Sequence, residues 1–335
     1  MVERERGKVA LIQDGKLSAE VGDLGDLSHA TLKFHRGDAW LVSRDGRLSR
    51  IDPCGPRVTA TAKVGNSAIG LTFVGDHVAV ANYDPCDVVV LDRDLREVRR
   101  IPTGSRNVGI KAEGNRLFFA LMDRDEIWVV DAARGYALEK TIPEAGAMPF
   151  DALLAEGRYV IGLYKESAVG VLDTRSLEYR KIPLKAPDGS PVLKIPHFGM
   201  WGVAGRRAFL PMPGVPKLYE VDLDSMAVLR TLELPGQPVF AAVAPDGKTL
   251  AVNYSGAREN FVSLIDTADM RHMQDLEVGQ RVMHLRFSED SRNLYASTFF
   301  DNRVHVLSGQ PWASGSSVAV PGPSGLFLAP TEVEP

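Results

Sequence analysis

Val88-Val89-Val90-Leu91-Asp92 is a short β-branched run closed by an aspartate, and the pattern recurs along the chain. It stands again at Leu48–Asp52 (LSRID), Ile127–Asp131 (IWVVD), Val169–Asp173 (VGVLD), Leu218–Asp222 (LYEVD) and Val262–Asp266 (VSLID). Looser copies are VALIQDG around Ile12 and VHVLSG around Leu307. Spacings run near 40 residues, and the widest, 49, separates Asp173 from Asp222. A period of about 40 residues with four short strands per unit is the mark of a β-propeller blade.

The units share an internal order. One strand comes after a Gly-rich turn (GQPVFAAVAPDG), the next follows a hairpin turn (KTLAVNYS), then comes the run ending in Asp, then an outer strand such as RRIPTG, KTIPEAG or RTLELPG. Asp45-Gly46, Glu113-Gly114, Glu156-Gly157 and Asp246-Gly247 are turn signals flanked by alternating apolar residues. No stretch sustains a 3.6-residue period with helix caps. The expected fold is all-β: one domain over 1–335, an eight-bladed β-propeller closed by strands from both termini. SSVAVPGPSGLFLAP reads as an outer strand followed by the first strand of a further unit, whose later strands lie at the N-terminus. Sharing one blade between the ends removes an exposed sheet edge.

Composition fits a globular protein, with 44% hydrophobic residues and a net charge of −4 spread without like-charge blocks. That balance argues against a nucleic-acid surface or a polybasic membrane patch. No apolar run reaches the roughly 18 residues that span a bilayer. MVERERGKVALIQDG has no apolar signal-peptide core. The shared blade suggests that the natural protein begins upstream, so the expected compartment is periplasmic if a targeting segment was trimmed and cytoplasmic otherwise. Cys54 and Cys86 follow prolines in turn-like contexts, and whether they pair is open. P-loop, G-x-G-x-x-G and C-x-x-C-H motifs are missing, and Gly65–Gly70 has one residue too many for a nucleophile elbow.

In a propeller, equivalent positions of successive repeats converge on one mouth. The register before and within the first strand of each unit holds His29, Asn66, Ser67, Arg106, Asn107, Lys111, Phe150, Asp151, His197, Trp201, Gln237, Phe240, Arg281, Met283 and His284. His197 and Trp201 lie in the longest connection, KIPHFGMWG, where irregular chain on a rigid scaffold tends to carry binding groups. His35, His77, His272 and His305 fall elsewhere and read as structural. Imidazoles at one mouth ligate metals or move protons near neutral pH. Arg and Lys around them bind carboxylates, and aromatics cover a flat ligand. A polycarboxylate macrocycle with a central metal meets all three demands. Each residue also has a plain structural alternative: a Ser28–His29 turn bond, a lining role for His284, a solvated charge for Arg44.

At these residues the chain resembles the NirF proteins, which act in haem d1 biosynthesis in denitrifying bacteria and are relatives of the d1-haem propeller of cytochrome cd1 nitrite reductase. The resemblance is carried by LGDLSHATL, AWLVSRDGRLSRID, VGNSAIG, VANYDP, DEIWVVD, MPFDALL, KIPHFGMWGVAGRRAFLP, GQPVFAAVAPDGK and DNRVHVL, in order and over almost the full length. It implies a d1-type tetrapyrrole, haem d1 or its iron-containing precursor, with His29 as the iron ligand and His197 as a distal acid/base group. Arg44, Asn66, Asn82, Tyr83, Arg106, Lys111, Phe150, Trp201, Gln237 and His284 are the candidate ligand-binding residues. A second distal histidine of the reductase would fall near Gln237-Pro238 and is missing, which argues against nitrite reduction. Implied partners are the tetrapyrrole, cytochrome cd1 nitrite reductase, other haem d1 pathway proteins and a second copy of the chain. Three functions fit: an oxidoreductase-type late step on a d1 precursor, a non-catalytic carrier, and an interaction scaffold.

Overall fold

A computed structural model describes residues 1–186, 188–191, 201–212 and 214–330. Its strands form eight antiparallel sheets, seven with four strands and one with three, each in simple meander order. The fold is an eight-bladed β-propeller. The blades run Val2–Val21, Thr31–Lys63, Ser67–Pro102, Asn107–Ile142, Pro149–Pro183, Gly202–Glu233, Gln237–Glu277 and Val282–Ala319 in chain order. Helical structure among the described residues is limited to single 3-10 turns at Ala132–Arg134 and Gly256–Arg258. None is long and apolar enough to cross a membrane.

The recurring apolar run is the third strand of blades two to eight and the middle strand of the three-stranded first blade. Asp87–Leu91 is buried at each position because neighbouring blades cover both faces of its sheet. The outer strand Arg57–Lys63 alternates exposed and half-buried positions, as a strand with one wet face should. The closing aspartates fold the turn that follows. Asp52 accepts from the Cys54 and Gly55 amides at 2.9 Å, and Asp173 from Arg175 and Ser176 at 2.9 and 2.7 Å. Asp92, Asp131, Asp222 and Asp266 do the same.

Packing divides the chain into two compact units, one built on Asp23–Pro183 (blades two to five), the other on Met1–Gly22 with blades six to eight. In the first unit, apolar clusters fill the interfaces of blades two and three, three and four, and four and five. In the second, they fill those of blades six and seven, seven and eight, and eight and one. The chain ends meet in this second unit. Val2 N–H donates to Gly325 O and Ser324 N–H to Val2 O, both at 2.9 Å, and Glu3 bridges Pro323. Residues 322–326 thus flank the three-stranded first sheet. Cys54 and Cys86 are both free and exposed.

Candidate functional site

In the first unit the site is assembled by connections that precede each inner strand and by the turns between second and third strands. Residues 22–30 lead into Thr31–His35, and Arg44 sits in the neighbouring turn. Two hydrogen bonds fasten these segments: Arg44 N–H donates to Asp26 O at 2.8 Å, and Asp26 N–H to Asp45 Oδ1 at 3.2 Å. Gly25 permits the approach, since its φ is +81° and a Cβ would meet Asp45 Oδ1 at 2.5 Å. Asp26 also caps the turn carrying His29 by accepting from Ser28 N–H at 2.8 Å. His29 itself is exposed.

The half-buried Tyr83 ring is flanked by two guanidiniums, Arg44 at 5.0 Å and Arg106 at 5.7 Å from its centroid. Arg106 is committed to Asp123, with Nη2 at 2.5 Å and Nε at 3.1 Å. Beyond its contact with the Tyr83 ring, the Arg44 side chain has no ion pair or hydrogen bond among the described residues. Burial pushes the Tyr83 phenol above its ordinary value, against the pull of both arginines. Lys111 and Phe150 are half-buried on the inner strands of blades four and five, and Phe150 stands 5.8 Å from the exposed Tyr164 ring.

Inner strands depart from regular pairing where these groups lie. The register shifts between Val108 and Lys111, between Pro149 and Ala152, and between Pro238 and Ala241. Phe150 and Asp151 occupy one such bulge, and Phe240 another. Bulges re-aim side chains and cluster near sites. At the first, Gly109 has φ +60° and a Cβ there would lie 3.0 Å from both Tyr159 Oη and Ile161 Cδ1, so only glycine fits.

Two of the candidate residues are held by neighbouring groups. Asn82 is fully buried, its amide donating to Val64 O at 3.0 Å and Asp87 Oδ1 at 2.7 Å, so it braces a loop. Asn66 is exposed and bound to Asp84 Oδ2 at 3.0 Å. Asn107, Ser105 and Arg100 complete the buried network around Asp87.

In the second unit, Trp201 is buried at 6% exposure and Gln237 is exposed at the start of its strand. His284 is half-buried against Phe240, centroids 5.1 Å apart, and its Nδ1 accepts from Leu326 N–H at 3.1 Å. The proton therefore sits on Nε2. Burial, then the charge of Arg286, pushes its pKa down to about 3. Burial thus favours the neutral imidazole, with Nε2–H as its donor. His197 lies outside the described residues. His35, His77, His272 and His305 are each bound to a neighbouring group. Among the described residues, no three or more His, Cys, Asp or Glu side chains cluster to hold a metal ion.

The sequence reading missed Lys33, a half-buried lysine on the inner strand of blade two, and Tyr164. A lysine between Leu32 and Phe34, four residues after His29, was the available signal for the first.

The donor set suits a flat polycarboxylate: an uncommitted guanidinium, a second one beside it, and a pair of neighbouring aromatic rings. Comparison with known proteins points the same way. A model of the cytochrome D1 heme domain matches residues 1–331. Protein NirF of Stutzerimonas stutzeri is 31% identical, covering 98% of this chain and 90% of that protein. Protein NirF of Pseudomonas aeruginosa is 32% identical with the same coverage. Among solved structures, dihydro-heme d1 dehydrogenase NirN in complex with DHE superposes with a TM-score of 0.83 at 21% identity, covering 97% of this chain and 73% of that one. Apo AztD from Citrobacter koseri gives 0.71 at 14% identity, covering 96% and 94%.

Proposed function

From its membership of the NirF family, haem d1 biosynthesis proteins built on the cytochrome D1 heme domain, we infer that this chain binds a d1-type tetrapyrrole as substrate or cargo in a late maturation step. The observation that carries the reading is the Arg44–Tyr83–Arg106 stack, which offers one guanidinium with its donors unspent. A guanidinium binds a carboxylate through two parallel hydrogen bonds. Arg44 then takes one carboxylate arm, Asp123 fixes Arg106 in place for another, and Phe150 with Tyr164 covers one edge of the ring. His29, exposed in its capped turn, is the group for the iron. His284 offers Nε2–H to an acceptor. Trp201, Asn66 and Gln237 are further candidate contacts, on the sequence resemblance alone. His197 is the acid/base group of this reading, on the sequence resemblance alone.

Titrating the purified protein with haem d1 and following the visible spectrum tests the reading. The wild type should bind, and His29→Ala should bind with an altered spectrum because the nitrogen that would hold the iron is lost. No binding by the wild type would sink it. Incubation with a d1 precursor and an electron acceptor then separates the enzyme from the carrier: turnover by the purified protein identifies an oxidoreductase.

A further inference from the structure

Tyr83 and Arg106, which meet in the arginine stack, come from different blades. Tyr83 lies near the end of His77–Asp84 in blade three, and Arg106 stands just before Asn107–Glu113, the inner strand of blade four. One side chain ties the two segments together. Asn107 is fully buried, and its Nδ2 amide donates to Asn82 O at 3.1 Å, Asp87 O at 3.0 Å and Ser105 O at 2.9 Å. Asn82 O belongs to the peptide group that leads into Tyr83, and Ser105 O to the one that leads into Arg106. Three carbonyls share the two hydrogens of one amide, so the group is gripped from three sides. Ser105 carries the bracing further: its Oγ donates to Arg106 O at 3.0 Å and accepts from Asp123 N–H at 2.9 Å. Arg106 N–H in turn donates to Asp123 Oδ2 at 2.9 Å.

The fold alone does not demand an asparagine at this position. Blade eight has the same local frame: Arg281 precedes its inner strand, and Arg281 O accepts from Phe299 N–H at 3.0 Å, as Arg106 O accepts from Met122 N–H at 2.9 Å. There the strand opens with the buried apolar Val282, and Arg281 stacks within its own blade, 5.7 Å from the Phe300 ring. The buried amide stands where an arginine has to meet a ring of the preceding blade. We propose that Asn107 is a positioning residue: it sets the separation of the Tyr83 ring and the Arg106 guanidinium without touching a ligand itself. Its bearing on tetrapyrrole binding rests on the function inferred above; its hold on the stack does not.

The test reads the stack directly. In protein labelled with 15N-arginine and 13C-tyrosine, the Arg106 Nε–Hε and Tyr83 Cζ resonances are assigned by their loss in Arg106→Lys and Tyr83→Phe. Asn107→Ser keeps one hydroxyl donor, and Asn107→Leu is close in size and offers none. Thr174→Val is the control, since it removes a buried hydrogen bond to Gly157 O from a turn between third and fourth strands. All three should lose thermal stability, but only the Asn107 variants should shift both stack resonances, Asn107→Leu the more. Their haem d1 affinity should fall roughly two- to tenfold below that of Thr174→Val, the range of one lost hydrogen bond. Resonances that keep their wild-type positions in Asn107→Leu, or in Asn107→Ser where Asn107→Leu does not fold, overturn the proposal. Shifted resonances with unchanged haem d1 affinity establish the positioning and take the stack out of the ligand site. Shifted resonances in a protein whose wild type binds no haem d1 establish the positioning and refute the inferred function.

Discussion

Arg44 and Arg106 meet the same tyrosine ring but are held in different ways, and that difference separates their expected phenotypes. Arg106 is locked by Asp123 on a pair that is about two-fifths exposed on each side, so the pair itself contributes little to stability. Arg44 is held by stacking, which is worth about 0.5–1 kcal/mol at such a site. Arg44→Ala should therefore leave the thermal midpoint almost unchanged. It should weaken haem d1 binding by about 10- to 100-fold, the equivalent of one charge-assisted bidentate contact. Arg44→Lys should recover only part of that, because an ammonium lacks the planar fork. Equal affinity of Arg44→Ala and wild type, measured by titration, would remove Arg44 from the site.

The recurring element is the turn between third and fourth strands. Each aspartate there accepts main-chain hydrogen bonds, and after all but Asp52 a residue with positive φ follows: Leu95, Tyr136, Leu177, Met226 and Met270 at φ 57–62°. Left-handed backbone costs a non-glycine residue about 1 kcal/mol, and burying the side chain offsets it; Leu177, Met226 and Met270 are buried. The same turns receive arginines from the preceding blade. Arg50 donates to Arg93 O at 2.7 Å, Arg116 to Thr174 O at 2.7 Å, and Arg207 to Thr267 O at 2.9 Å. The Gly55 amide above all holds the Asp52 carboxyl below its ordinary value, and the Ser176 and Arg175 amides do so for Asp173. A depressed folded-state pKa gives stability that is present above about pH 3.9, the unfolded value, and is lost as pH falls through the folded one. Asp52→Asn with Asp173→Asn should flatten the fall of the melting temperature between about pH 4 and pH 2. Parallel curves for variant and wild type would contradict the assignment.

At the scale of the whole molecule, residues 322–326 run beside the edge strand of the three-stranded first sheet. Beyond the pairing of Val2 with Ser324 and Gly325, Arg4 N–H donates to Gly322 O at 3.3 Å and Gly322 N–H to Asn302 Oδ1 at 2.7 Å. Leu326 is buried beside Val320 in the same cluster, and Leu326 N–H fixes the tautomer of His284. Ending the chain at residue 320 removes these bonds, each worth about 1 kcal/mol net, and bares a strand edge. The shortened protein should melt several degrees lower and associate on size-exclusion chromatography. An unchanged melting temperature with a single sharp peak would show that the segment adds no stability.

The eight-fold repeat, the all-β class and the turn role of its aspartates were legible in sequence, because strand alternation and turn chemistry are local properties. The inner-strand register was legible too, since a repeat carries position. What sequence could not supply was direction and company. Asn82 occupies a site-like position yet points inward to Asp87, and burial lowers the pKa of His284, which packs on Phe240 and accepts from Leu326 N–H. Lys33 looks like any strand lysine, yet burial first, and then the charge of Lys111, 78 residues further along the chain, lowers its pKa. Desolvation and pairing are sums over neighbours distant in sequence, and only the tertiary structure fixes which neighbours those are.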